Sequence, residues 1–157
     1  MTYRVRLRPA EATTGDADYV RARVFDAVSV SVQKARSVIV RGYRDAVSRL
    51  RYAHDAWDHD GVYIALTEAT NWLHSLNVSG NEDIDALIFA RNRSHHQWGS
   101  ITYPDEAQHV YLWRPGSQLP VPPDPRHRNE KREKQYVSRL AGNPLLEVFD
   151  RLDAVRF

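Results

Sequence analysis

Side chains able to do chemistry are concentrated in the segment Arg91-Asn92-Arg93-Ser94-His95-His96. The guanidinium of Arg91 offers a fixed fork of N–H donors to a phosphodiester, and the imidazole of His95 or His96 can take or give a proton near neutral pH. Such a pair could deprotonate a 2′-hydroxyl and stabilise phosphate charge without a metal ion. The segment therefore predicts phosphate chemistry.

The same residues also have an interpretation without catalysis. Arg91 could form an ion pair with an acid such as Glu68 across a helix interface. His95 and His96 could simply lie near a helix C-terminus, where the helix dipole favours positive charge. From the residues alone, both interpretations stay open.

Three polar residues on the preceding helix are spaced to face this segment: Glu68, Asn71 and His74. They could support a site around Arg91, or they could be plain surface. We take Glu68 and Asn71, together with Arg93, as candidate substrate-binding residues.

The residues before the segment predict the helix that carries it. Asn81 is a favourable helix start, because the acids that follow it interact with the positive end of the helix dipole. The aliphatic face at positions 84, 87 and 88 continues to positions 91 and 95. The side of the helix that faces the core therefore changes from aliphatic to ionisable.

Helical geometry leaves open which histidine shares a site with Arg91. On a straight helix position 95 lies about 40° from position 91, whereas position 96 lies about 140° away. His96 would approach Arg91 only if the helix ended or loosened near Ser94.

Two further helices are expected before this one. Apolar residues recur every three or four positions from about 32 to 56, which predicts a long amphipathic helix. A second helix is expected from near Asp60 to Leu76. Because the loop after it is short, the second and third helices should pack antiparallel in a small all-α bundle.

The segment resembles the signature of HEPN domains. In that signature four positions separate an Arg from a His, and the first of the four is a polar residue. HEPN domains are small all-helical proteins, and many are metal-independent endoribonucleases. The resemblance implies an HEPN-like antiparallel bundle. It implicates Arg91, Asn92 and His96 as catalytic residues, with His95 or Arg93 assisting.

The resemblance also implies partners and a biological setting. HEPN catalytic residues usually come together from two subunits of a symmetric dimer and cut RNA to leave a 2′,3′-cyclic phosphate. RNA, a second copy of the chain and a protein partner such as an antitoxin are thus expected, in a toxin or defence setting. The alternative is a non-catalytic helical module that binds a protein or nucleotide, as some HEPN relatives do.

A second, looser likeness is to a family of uncharacterised, mostly actinobacterial proteins. It is carried by "ARN.SHHQW", "WRP…LP" and "LAG.P" over about residues 40–155. This likeness implies no function.

Composition narrows the remaining classes of function. The chain has 157 residues and no cysteine, so disulfides, thiolate nucleophiles and cysteine-based zinc sites are excluded. His54 and His59 lie in "HDAWDHD", which has metal-ligand residue types but lacks the spacing of a zinc helix and is expected to be a polar turn. We therefore expect neither a metal ion nor a cofactor.

Charge and hydropathy indicate a soluble protein. No apolar run approaches the roughly 18 residues that a membrane span needs, and the N-terminus lacks the apolar core of a signal peptide. We expect a cytoplasmic protein that does not associate with a membrane. The net charge of +2 is small, although basic residues cluster in 34–51 and 126–139.

A single domain over 1–157 is expected to have four parts. Residues 1–30 form an N-terminal extension with a short strand at 3–8, and 18–32 is ambiguous between strand and helix. Residues 32–100 hold the core helices. Residues 101–128 form a proline-rich segment with strand-like residues at 107–113, and 129–157 form C-terminal helices, the last opened by Asn143-Pro144.

Overall fold

The computed structural model describes residues 14–76, 78, 80–97, 101–119 and 129–154, and side chains from residue 29 onward except 95–97. Its helices are Thr14–Asp55 (α1), His59–Ser75 (α2), Glu82–Gln97 (α3), Glu130–Arg139 (α4) and Glu147–Asp153 (α5). Two antiparallel strands, Thr102–Asp105 (β1) and Val110–Trp113 (β2), lie between α3 and α4 in the chain. The described chain is therefore mostly helical, with one small sheet.

The first helix begins earlier than its apolar pattern predicts. Residues 18–32, ambiguous in the sequence, are helical and continuous with the rest of α1. No glycine or proline interrupts 16–41, so nothing in the backbone stops the helix there. The chain divides into two compact units, 1–36 and 37–157, and every candidate site residue belongs to the second.

The core of the second unit is built around α3. Its residues from Ile84 to Ala90 are all buried, and the helix contacts both α2 and α4. On α1 the buried positions are Tyr43, Ala46, Val47, Leu50 and Ala53, at the spacing of three and four that predicted the helix. Because α3 is enclosed on several sides, its position is well defined by packing.

The sheet was predicted only in part. Of the strand expected at 107–113, residues 110–113 are observed as β2, and 107–109 belong to the turn before it. Its partner β1 contains Pro104 and was not predicted. Asp105 Oδ1 accepts hydrogen bonds from the backbone N–H groups of Ala107 and Gln108, which shapes the connecting loop.

The start of the last helix was predicted wrongly. Asn143-Pro144 was expected to open it, but α5 begins at Glu147. Pro144 instead forms a β-bridge with Leu112, and the N–H of Leu145 donates to the carbonyl of Tyr111 at 2.7 Å. Pairing with β2 thus holds these residues outside the helix.

Two helix-terminus predictions are confirmed. Asn81 Oδ1 accepts from the N–H groups of Asp83 and Ile84 at the start of α3. Gly142, after α4, has φ of +77°. The strand expected at 3–8 and the last part of the proline-rich segment, 120–128, lie outside the described residues. In the described part of the chain, no helix combines the length and apolar character needed to cross a bilayer.

Candidate functional site

Arg91 is held in place by two neutral amides. Its Nε donates to Asn71 Oδ1 of α2 at 2.9 Å, and its Nη1 donates to Asn92 Oδ1 at 3.0 Å. The side chain is half-buried at the end of the buried stretch of α3. Amide acceptors orient a guanidinium but do not cancel its charge, so this arrangement leaves a positioned positive group.

Glu68 does not neutralise Arg91. Glu68 forms its ion pair with Arg49 of α1, so the interpretation in which Arg91 pairs with Glu68 is wrong. Among the described residues, no carboxylate forms an ion pair with Arg91. Of the two substrate-binding candidates on α2, Asn71 contacts Arg91 directly and Glu68 is engaged elsewhere.

His74 lies one helical turn after Asn71 on α2 and is exposed. Its pKa is lowered from the ordinary histidine value, first by partial burial and then by the positive charges of Arg91 and Arg132. The shift favours the neutral imidazole. His74 thus lies within the field of two guanidinium groups, one from α3 and one from α4.

The end of α3 constrains the roles of the two histidines. The helix continues to Gln97, so it does not end at Ser94. Position 95 therefore stays about 40° from position 91 around the helix, and position 96 about 140° away. Within one chain, the backbone places 91 and 95 on one face, and 92 and 96 on a neighbouring face. Side-chain contacts of His95 and His96 lie outside the described residues.

Arg93 has a different environment. Its guanidinium carbon lies 4.9 Å from the centroid of the Phe89 ring, a cation–π contact within α3. Arg93 also lines a cavity of about 150 Å³ with Tyr136 and Val137 of α4. The structure therefore places Arg93 toward α4, whereas Arg91 contacts α2.

A second feature, here named the aromatic corner, consists of Trp57, His59, His109 and Tyr111. Trp57 and His109 stack with their ring centroids 4.2 Å apart and their planes at 18°. His59 Nδ1 lies 2.7 Å from the hydroxyl of Tyr111. Burial, and then the negative charge of Asp58, raise the pKa of the Tyr111 hydroxyl above its ordinary value.

Both stacked residues adopt a backbone conformation that favours glycine. Trp57 has φ of +57° and His109 has φ of +51°, and no other described residue except glycine has a positive φ. At Trp57 the N–H groups of residues 57 and 58 bond back to the carbonyls of His54 and Ala53, the pattern of a Schellman cap at the end of α1. The stacking of Trp57 on His109 is therefore accompanied by backbone strain at both residues.

The sequence indicates part of each feature. Arg91, Asn92 and Asn71 are candidates from the sequence and lie together in the structure, whereas Arg132 carries no local signal that points to His74. The contacts of His59 with Tyr111, and of Trp57 with His109, depend on the hairpin, so the pattern around His54 and His59 indicates only a metal site or a turn. Within the described residues, no three His, Asp or Glu side chains are grouped to hold a metal ion. Comparisons with protein-family models, curated proteins and solved structures find no match for this chain.

Proposed function

We propose that the protein is a metal-independent endoribonuclease of HEPN type, with Arg91 at the scissile phosphate. The observation that carries this proposal is the guanidinium held by the amides of Asn71 and Asn92, with no carboxylate paired to it among the described residues. A preorganised positive group of this kind can stabilise the negative charge that develops on phosphate in the transition state.

In the reaction the phosphoryl group of the scissile bond would be transferred from the 5′-oxygen of the next nucleotide to the neighbouring 2′-oxygen. A histidine accepts the 2′-hydroxyl proton, the 2′-oxygen bonds to phosphorus, and the bond from phosphorus to the 5′-oxygen breaks. A second proton transfer from an imidazolium completes the 5′-hydroxyl. The products are a 2′,3′-cyclic phosphate and a new 5′-end, with no change of oxidation state and no other reactant.

His95 and His96 supply the proton transfers in this proposal. The helical spacing favours His95 as the partner of Arg91 within one chain, whereas the HEPN resemblance favours His96. A homodimer reconciles the two, because the partner's His96 could approach Arg91 from across the interface. Asn92 then orients Arg91 from a position on the same helix face as His96.

The test is cleavage of RNA by the purified protein in EDTA. We expect cleavage by the parent chain, a large loss for Arg91→Ala, and separate losses for His95→Ala and His96→Ala. Arg49→Ala is the matched control, because Arg49 also contacts α2 but is already paired with Glu68. Absence of cleavage by the parent, or equal cleavage by the parent and Arg91→Ala, would end the nuclease proposal.

The same observation also supports a second candidate, a module that binds a nucleotide or RNA without cleaving it. An amide-held arginine can bind a phosphate whether or not a proton donor is present. Arg91-dependent binding without cleavage would select this candidate. A toxin or defence setting with a protein antitoxin belongs to the nuclease proposal, and growth arrest on expression that requires Arg91 would support it.

A further inference from the structure

A groove of about 560 Å³ lies between α2, α3 and α4. His74 of α2, Ile88 of α3, and Lys131 and Arg132 of α4 line it. Ile88 precedes Arg91 by one helical turn, and His74 follows Asn71 by one turn. Because Arg91 contacts Asn71, both helices lead from the Arg91 site into the groove.

The groove carries more positive than negative charge. Among the described residues that line it, Lys131 and Arg132 are basic and Asp85 alone is acidic. Asp85 is 8% exposed and accepts from Arg132 Nε at 3.2 Å. This bond uses one of the five N–H donors of the guanidinium, so Asp85 fixes the arginine without occupying all of its donors. Lys131 is exposed, and Asn129 contributes a polar side chain at the rim.

His74 links the groove to the Arg91 site. It lines the groove, and the charges of both Arg91 and Arg132 act on it. A side chain that lines the groove is thus acted on by one charge from α3 and one from α4. A polyanion that extends from Arg91 into the groove would be attracted by Arg91 at one end and by Lys131 at the other.

We propose that this groove binds a second phosphate of the same RNA strand, adjacent to the phosphate held by Arg91. Lys131 supplies the net positive charge, and Arg132, already paired with Asp85, supplies its remaining N–H donors. His74 lies between the two phosphates. The inference rests on the proposed function, because it takes RNA as the ligand at Arg91. It adds a specific requirement, namely that tight binding needs at least two phosphates.

The test uses 2′-O-methyl oligouridylates with one, two or three phosphates, since a blocked 2′-oxygen prevents cleavage. We expect the second phosphate to strengthen binding by the parent chain on the order of fivefold, and Lys131→Gln to remove most of that gain. Lys134→Gln is the matched control, because Lys134 is an exposed lysine of the same helix that does not line the groove. For Lys131→Gln the slope of log K against the logarithm of the salt concentration should become less steep by about 0.7, the value for one phosphate contact with a single strand.

His74 supplies a readout that general charge effects would not reproduce. Binding of the two-phosphate oligonucleotide should raise the pKa of His74, followed by NMR of its ring protons, because an anion beside the imidazole favours the protonated form. The one-phosphate compound should raise it less. His74→Gln keeps a polar side chain but removes the titration, and should make the affinity for the two-phosphate compound less dependent on pH.

The outcomes separate the two proposals. If one-phosphate binding depends on Arg91 but a second phosphate adds nothing, the groove proposal is wrong and the proposed function stands. If Lys131→Gln and Lys134→Gln lose the gain equally, the groove is not a specific subsite. If the parent chain neither binds these compounds nor cleaves RNA, the proposed function fails and the groove proposal fails with it.

Discussion

The two ends of α3 use arginine in opposite ways. At its start, each acid of the first turn pairs with an arginine from a later helix: Glu82 with Arg139, Asp83 with Arg151, and Asp85 with Arg132. Near its end, Arg91 is held by Asn71 and Asn92. The charge is cancelled where α4 and α5 dock, and it is kept where α3 meets α2.

This difference separates structural arginines from a candidate functional one. A carboxylate partner fixes the side chain and neutralises it, which suits a contact between elements of the fold. An amide partner fixes the side chain and leaves its charge available to an anion. Orientation without neutralisation is the property expected of a phosphate-binding group.

The largest expected effect is on catalysis. Arg91→Ala should reduce RNA cleavage by about 10²–10³-fold, the range seen when one preorganised donor to a transition-state oxyanion is removed. Arg91→Lys should retain part of the activity, because it keeps the charge but loses the planar fork. Arg151→Ala, measured at a temperature where it is folded, should cleave like the parent. If both alanine variants lose activity equally, the two ends of α3 do not differ as described.

The next effect is on stability, where Arg151→Ala should cost more than Arg91→Ala. Arg151 makes three hydrogen bonds to Asp83, whose side chain is only 15% exposed. Arg151→Ala should therefore lower the free energy of unfolding by about 1–3 kcal/mol, because a largely buried carboxylate loses its partner. Arg91→Ala leaves only neutral amides behind and should cost about 1 kcal/mol or less. Urea unfolding measures both, and a greater loss for Arg91→Ala would make Arg91 a structural residue.

The pairing between Arg49 and Glu68 should contribute least to stability. Their side chains are 57% and 44% exposed, so solvent screens the pair. Arg49→Ala should change the free energy of unfolding by less than about 1 kcal/mol. A larger loss would show that α1 depends on this contact for its position against α2.

A smaller effect should appear in the titration of His74. Removing the charge in Arg91→Ala should raise the pKa of His74 toward its ordinary value. Arg139→Ala should not, because the charges that lower the pKa of His74 are those of Arg91 and Arg132. NMR of the histidine ring protons measures both. An unchanged His74 pKa in Arg91→Ala would show that the charge of Arg91 does not reach α2.

The same shift has a consequence for stability against pH. A histidine whose pKa is lowered in the fold binds its proton more readily when unfolded, so stability falls as pH drops through the ordinary histidine pKa toward the lowered value. The parent chain should lose more of its free energy of unfolding over this acidic range than His74→Gln. Equal losses would indicate that His74 does not carry the shift.

Local signals in the sequence predicted the middle helices well. The three-and-four spacing of apolar residues identified α2 and α3, and Asn81 caps the start of α3 as predicted. These signals act within one turn, so they can be read without knowing the fold. Arg91 and Asn92 are candidates for the same reason, since an ionisable end on an apolar helix face is a local pattern.

Signals that depend on distant partners could not be read. β1 forms only because β2 lies opposite it, and Pro144 leaves its helix because Leu112 provides a bridge. The stack of Trp57 on His109 requires two residues with positive φ in separate connections. In each case the decisive contact joins residues of two different segments of the chain, and this pairing overrides local propensity.

The partners of the arginines also divide into what the sequence determines and what the tertiary structure decides. The sequence alone determines that an apolar helix face ends in polar residues. It also supplies acids and arginines that could pair in many ways. The tertiary structure decided that Glu68 pairs with Arg49, that the acids at the start of α3 pair with arginines of α4 and α5, and that Asn71 reaches Arg91. An ion pair depends on a few ångströms of distance between side chains, and only the packing of the helices sets that distance.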